Sequence, residues 1–159
     1  MEHTTLGDTG MSVSRIGLGC NTLGLDSSSR WDWSVGEDES KEIVDRAIEL
    51  GINFFDTANS YSGGDSERVL GDALSECDRE KMVVTTKVYN EPATDAHPNA
   101  SGLSRKTIDQ ELENRLDRLD MEYVDLYQIH RWDRETPIEV SDLSYLEEPY
   151  EPVPIAGHE

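Results

Sequence analysis

The sequence predicts an α/β chain built on a parallel sheet and entered through a short hairpin. Three observations carry that expectation. Apolar segments of strand character recur at residues 15–19, 52–56, 82–87 and 124–130. Stretches of helical period separate them, and such alternation makes consecutive strands parallel through right-handed crossovers. Finally, three successive strand segments end in a titratable side chain: Asp56, Lys87 and His130. This pattern alone is compatible with a closed barrel and with an open doubly wound sheet.

Taken in order, Thr4-Thr5-Leu6 and Met11-Ser12-Val13 flank the turn-rich Gly7-Asp8-Thr9-Gly10 and read as a hairpin. Arg15 to Gly19 reads as a short buried strand running into a polar loop that holds Trp31 and Trp33. Glu37, Asp38 and Glu39 suit the positive end of a helix dipole. Ile43, Val44, Ala47, Ile48 and Leu50 then share a helical face, and Gly51 stops the helix. Ile52 to Asp56 is the next strand, followed by a Gly-rich loop and a helix from about Asp65 or Ser66, with Val69, Leu70, Ala73 and Leu74 inward. Met82 to Lys87 is the third strand. A long loop from Val88 to Gly102 leads to Ser104, a suitable cap for a helix whose apolar stripe is Ile108, Leu112, Leu116 and Leu119. Val124 to His130 is the fourth strand.

Composition narrows the function classes. The 159 residues hold 34 acidic and 14 basic side chains, for a net charge of −20. Such a surface repels phosphate backbones and anionic lipid, so neither nucleic-acid nor membrane binding is expected. The acids are interleaved with apolar periodicity, which argues for a folded domain rather than a solvating tail. Four lysines stand beside ten arginines; dispersed carboxylates with little lysine resemble the proteins of salt-loving microbes, where ionic strength screens the repulsion. Cys20 and Cys77 lack metal-ligand spacing and read as free thiols of a reducing compartment. With no apolar leader and no long apolar run, the expected location is the cytoplasm.

In parallel α/β folds, chemistry sits at the carboxyl ends of the strands. Neighbouring strands lie about 4.8 Å apart, so Asp56, Lys87 and His130 would converge on one rim, with Tyr61 in the loop above the second strand. Three have a bland explanation: a strand-end Asp caps turns, a lone His is usually a satisfied polar residue, and a loop Tyr packs. Lys87 is harder to dismiss, because lysine is scarce here and this one follows five residues of strand character. The conjunction of the four is what points to a site. A metal-dependent hydrolase built on Asp56 and His130 is disfavoured, because the first strand offers no His-x-His or similar ligand pair.

At these residues a resemblance becomes specific. Residues 51–61, Gly-Ile-Asn-Phe-Phe-Asp-Thr-Ala-Asn-Ser-Tyr, continuing through Ser66-Glu67-Arg68-Val69-Leu70-Gly71, resemble the signature of aldo-keto reductases. The opening from Leu6 to Ser14, Gly17-Leu18-Gly19, Thr85-Thr86-Lys87 and Asp125 to His130 are similar to other stations of that family. The resemblance implies a (β/α)8 TIM-barrel, here about its first four β/α units, and a reductase passing hydride from NADPH to an aldehyde or ketone. It also implies roles. Tyr61 would protonate the carbonyl oxygen, Lys87 would favour the phenolate of a group that is otherwise a poor donor near neutrality, and Asp56 would hold the ammonium. His130 would orient the carbonyl. Asn21, Thr22 and Asp56 would lie beside the nicotinamide, and Trp31, Trp33 and the loop around His97 would border the carbonyl pocket. Gly17-Leu18-Gly19 is no dinucleotide fingerprint, because no helix follows it directly.

The chain departs from the family after His130. Thr136 and Pro137 suit the entry to a fourth helix, yet the amphipathic run does not follow, and three prolines fall within residues 149–154. That tail resembles the family's carboxyl end. The expectation is an internal deletion joining residues 1–139, a half barrel, to a Pro-rich tail at 140–159, without the units that grip the cofactor. A barrel of this type usually takes about 250 residues. A half barrel has open strand edges, so homo-oligomerisation through them is expected, with weakened NADPH binding and marginal stability. A non-catalytic remnant or a self-associating module of the same fold is the alternative.

Overall fold

The computed structural model describes residues 1–24, 34–91 and 97–136. Strands β1 (His3–Thr5) and β2 (Ser12–Ser14) pair antiparallel as the opening hairpin. The main sheet holds β3 (Leu18–Gly19), β4 (Phe54–Asp56), β5 (Val83–Val88) and β6 (Leu126–Ile129), all parallel and in sequence order. Helices α1 (Glu37–Glu49), α2 (Asp65–Leu74) and α3 (Arg105–Leu119) form the connections. The hairpin is tied on by Asn53, whose Oδ1 accepts from the Ser14 amide at 2.7 Å and whose Nδ2 donates to the Ser12 carbonyl.

The core lies between the sheet and its helices. Phe55 and Val84 from the strands meet Val44 and Ala47 of α1, Leu70 and Leu74 of α2, and Leu119 of α3. Because side chains alternate along a strand, Asp56, Lys87 and Gln128 turn to the opposite face. There Gln128 bonds the Thr85 hydroxyl and Lys87 bonds Asp56. The charged groups thus share the face away from the helices. At the α2–α3 crossing, Gly71 is required sterically: a Cβ there would stand 2.1 Å from the Leu119 carbonyl oxygen.

Three details depart from the sequence reading. The strand expected over residues 15–19 shortens to Leu18–Gly19, and Ile16 is 60% exposed, because the chain is still leaving the hairpin there. Leu50, expected on the inner face of α1, is half exposed, since the helix ends at Glu49 and Gly51 turns at φ 81°. In α3 the fully buried stripe is Thr107, Glu111, Arg115 and Leu119, while Ile108, Leu112 and Leu116 are only part-buried. The helix turns an ion pair inward: Arg115 Nη1 meets Glu111 Oε2 at 2.6 Å. Ser104 caps α3 as expected, accepting from the Thr107 amide. The expected fourth helix, the 140–159 tail, Trp31 and Trp33 lie outside the described residues. Among the described residues no helix is long and apolar enough to cross a membrane.

Candidate active site

The site is assembled at the carboxyl rim of the sheet. Asp56 ends β4 and Lys87 sits one residue before the end of β5. His130 follows β6 directly, its amide donating to the Val88 carbonyl at 2.8 Å. Tyr61 opens a 3₁₀ turn, Tyr61–Gly64, that hands the chain to α2. The turn is held from below: the Ser62 hydroxyl donates to the Leu23 carbonyl, while the buried Ser66 hydroxyl bridges the Cys20 carbonyl and the Thr57 hydroxyl. The loops after β3 and β4 are therefore fixed against each other before any ligand arrives.

Lys87 is the hub. Its Nζ donates to Asp56 Oδ2 at 2.7 Å, to the Thr57 carbonyl at 2.9 Å and to the Tyr61 hydroxyl at 3.0 Å. An ammonium has three protons to donate, and these three acceptors account for them all. The Lys87 side chain is 12% exposed, so the arrangement directs a nearly dry cation at the phenol oxygen. The His130 ring meets Tyr61 edge-on, with centroids 5.8 Å apart and planes at 83°. Burial, then the Lys87 ammonium, lower the His130 pKa from its ordinary 6.5, keeping the ring neutral near neutral pH. All four predicted residues, Asp56, Tyr61, Lys87 and His130, are brought together.

Asn21 and Thr22 fall in the turn leaving β3, beside the end of β4, where the Cys20 amide donates to the Asp56 carbonyl at 2.8 Å. Cys20 itself is fully buried, and desolvation with the nearby Asp56 carboxylate pushes its thiol up to about 12, which favours the neutral thiol near neutral pH. Among the described residues no group of His, Cys, Asp and Glu is arranged to hold a metal. A cavity of about 740 Å3 opens beside the cluster, between the segments that follow β5 and β6. Asn90, Asn99, Trp132 and Arg131 line it, whereas Asp56, Tyr61, Lys87 and His130 do not.

Sequence reasoning missed the supporting residues. Asn90 meets both Ser60 and His130, and Thr57 supplies the third acceptor for Lys87. Tyr89, between β5 and Asn90, has φ 134°, a strained conformation for a residue with a side chain. Such strain costs about 1–3 kcal/mol and persists where surrounding contacts over-determine it. The only advance signal was the polar Asn90 two residues beyond the end of the strand carrying Lys87.

Comparison with known proteins decides the relationship. Residues 15–151 match the model of the aldo/keto reductase family. The chain belongs to that family. It is 37% identical over 156 residues to the versiconal hemiacetal acetate reductase of Aspergillus parasiticus, covering 87% of this chain and 45% of that protein. It is 41% identical over 146 residues to the uncharacterized oxidoreductase YrpG of Bacillus subtilis (strain 168), covering 86% and 42%. The holo form of aldo-keto reductase AKR11C1 from Bacillus halodurans superposes with a TM-score of 0.76 at 32% identity, over 92% of this chain and 46% of that one. The chain therefore spans less than half the length of these relatives. Its four parallel strands are part of the barrel of an aldo-keto reductase.

Proposed function

We propose that Asp56, Tyr61, Lys87 and His130 form the proton-donating half of a carbonyl reductase that uses NADPH to convert an aldehyde or ketone into an alcohol. The observation that carries this reading is the placement of Lys87 Nζ within hydrogen-bond distance of both Asp56 Oδ2 and the Tyr61 hydroxyl.

The described residues fit the reacting end of such a cofactor. Asn21 and Thr22 offer amide and hydroxyl groups of the kind that hold a carboxamide, next to the strand end that carries Asp56. The helices nearest that end, α1 and α2, are poor seats for its phosphates, because both open on acids: Glu37, Asp38 and Glu39 in one, Asp65 and Glu67 in the other. Bound there, the nicotinamide supplies hydride to the carbonyl carbon. Tyr61 donates its proton to the carbonyl oxygen as charge develops there. The Lys87 ammonium, 3.0 Å away, stabilises the phenolate left behind, and Asp56 holds the ammonium on target. His130, neutral and set against the Tyr61 edge, hydrogen-bonds the same oxygen and fixes the angle at which the carbonyl approaches.

Affinity for the whole cofactor is expected to be weak. Turnover of a simple aldehyde by the 159-residue chain should rise linearly with NADPH and show no saturation. Calorimetric titration finding micromolar binding would overturn this impairment while leaving the assignment of the four residues intact.

A second reading has one observation in its favour. Among the described residues β3 and β6 each pair on one side only, and their segments carry no charge (Leu18–Gly19 and Leu126–Ile129). Uncharged open edges invite pairing with another strand. On this reading the fold serves as a self-associating module, and the proton-donating cluster is retained without turnover.

A further inference from the structure

The structure assigns Asn90 as the positioning residue that selects the tautomer of His130. Asn90 Nδ2 stands 3.0 Å from His130 Nδ1 and 3.2 Å from the Ser60 hydroxyl. A carboxamide NH2 group only donates, so Nδ1 must receive, and a neutral ring that accepts at Nδ1 carries its proton on Nε2. That leaves Nε2–H as the donor available to a carbonyl oxygen. With the opposite tautomer the ring would present a lone pair to that oxygen and repel it.

The backbone shows why Asn90 reaches this position. β5 ends at Val88, and Tyr89, at φ 134°, turns the chain sharply. Two hydrogen bonds hold the turn: the Gly102 amide donates to the Tyr89 carbonyl at 2.9 Å, and Asn59 Nδ2 donates to the Asn90 carbonyl at 2.9 Å. Asn59 is 1% exposed, so this anchor is rigid. The Arg131 guanidinium, next in sequence to His130, stands 5.8 Å from the Tyr89 ring centroid. Contacts from the segments after β4, after β5 and after β6 thus converge on one strained turn, and its product is a single amide aimed at one ring nitrogen.

The inference deepens the reductase reading and rests on it for its purpose, but its test needs neither cofactor nor turnover. The test is nitrogen-15 NMR of the histidine rings in the full chain, above the pH range where imidazole titrates, with the His130 signals assigned by their loss in His130→Gln. In the native chain the Nε2–H form should exceed the Nδ1–H form by about tenfold, the effect of one net hydrogen bond. Asn90→Ala should relax His130 to the mixed population of a free ring. Asn90→Asp, whose carboxylate only accepts, should turn the preference toward Nδ1–H. A role in packing alone would move none of these signals. A native ring protonated at Nδ1, or equal populations in all three proteins, overturns the assignment; should Asn90→Ala fail to fold, the native chain and Asn90→Asp still decide. The expected tautomer without turnover would count against the reductase reading and leave this inference standing.

Discussion

Arg115 and Lys87 stand back to back: the fully buried Arg115 donates its Nε–H to the Lys87 carbonyl oxygen at 2.7 Å. The guanidinium of α3 thereby braces the strand that presents the ammonium, while Nη1 is paired with Glu111, itself 1% exposed. Removing one partner of a buried pair leaves the other charge uncompensated, at a cost of about 3–5 kcal/mol. Arg115→Met should therefore lose about that much stability in urea titration. Combining it with Glu111→Leu should recover much of the loss. A single-variant loss below about 1 kcal/mol would show that the pair is not closed off from water.

Gly71→Ala sets two effects against each other. In an open helix the change gains about 1 kcal/mol. Here the added methyl would meet the Leu119 carbonyl oxygen at 2.1 Å, backbone that cannot swing aside, and overpacking costs about 1–3 kcal/mol or more. The clash should win. The urea midpoint should fall with the slope unchanged, and a rise would contradict the tight α2–α3 crossing.

Protonation of His130 opposes folding. Burial and the Lys87 ammonium lower its folded pKa beneath the ordinary 6.5, so between the two values the unfolded chain binds more protons. Stability is then flat above about 6.5 for this group and declines as pH drops through the window beneath it. The urea midpoint of the native chain should show this decline, and His130→Gln should reduce it. Equal slopes for the two would mean that the ring is not held neutral by its surroundings.

Open, uncharged edges predict self-association tempered by charge. At −20 per chain, copies repel at low ionic strength and are screened at high. Light scattering should therefore report masses above the 17.9 kDa monomer, rising with concentration and with salt. A constant monomer mass under all conditions would exclude association through β3 and β6.

The parts of this fold that repeat a local rule were readable in advance. The hairpin turn, the acid-led α1, the Ser104 cap and the strand ends at Asp56 and His130 each follow from propensity or periodicity within a few residues. What escaped depends on partners far along the chain. Nothing near Arg115 announces that it faces inward, because its acceptor is the Lys87 backbone 28 residues away. Ile16 looked like core by composition and is exposed by topology. Tyr89 gave no local sign of positive φ, since the contacts that impose it come from Asn59 and Gly102. Lys87 stands out in the sequence as a scarce lysine at a strand end, but its third acceptor is the Thr57 carbonyl, which side-chain patterns do not encode.

The central claim is that the phenol of Tyr61, held against the Lys87 ammonium, supplies the proton in carbonyl reduction. Its most direct test is the NADPH-dependent rate of aldehyde reduction by the full chain and by Tyr61→Phe, which removes one oxygen from a part-buried ring. Loss of a positioned proton donor predicts a fall of about 10²–10⁴-fold with the fold intact by circular dichroism. A measurable rate that is the same in both proteins would contradict the account.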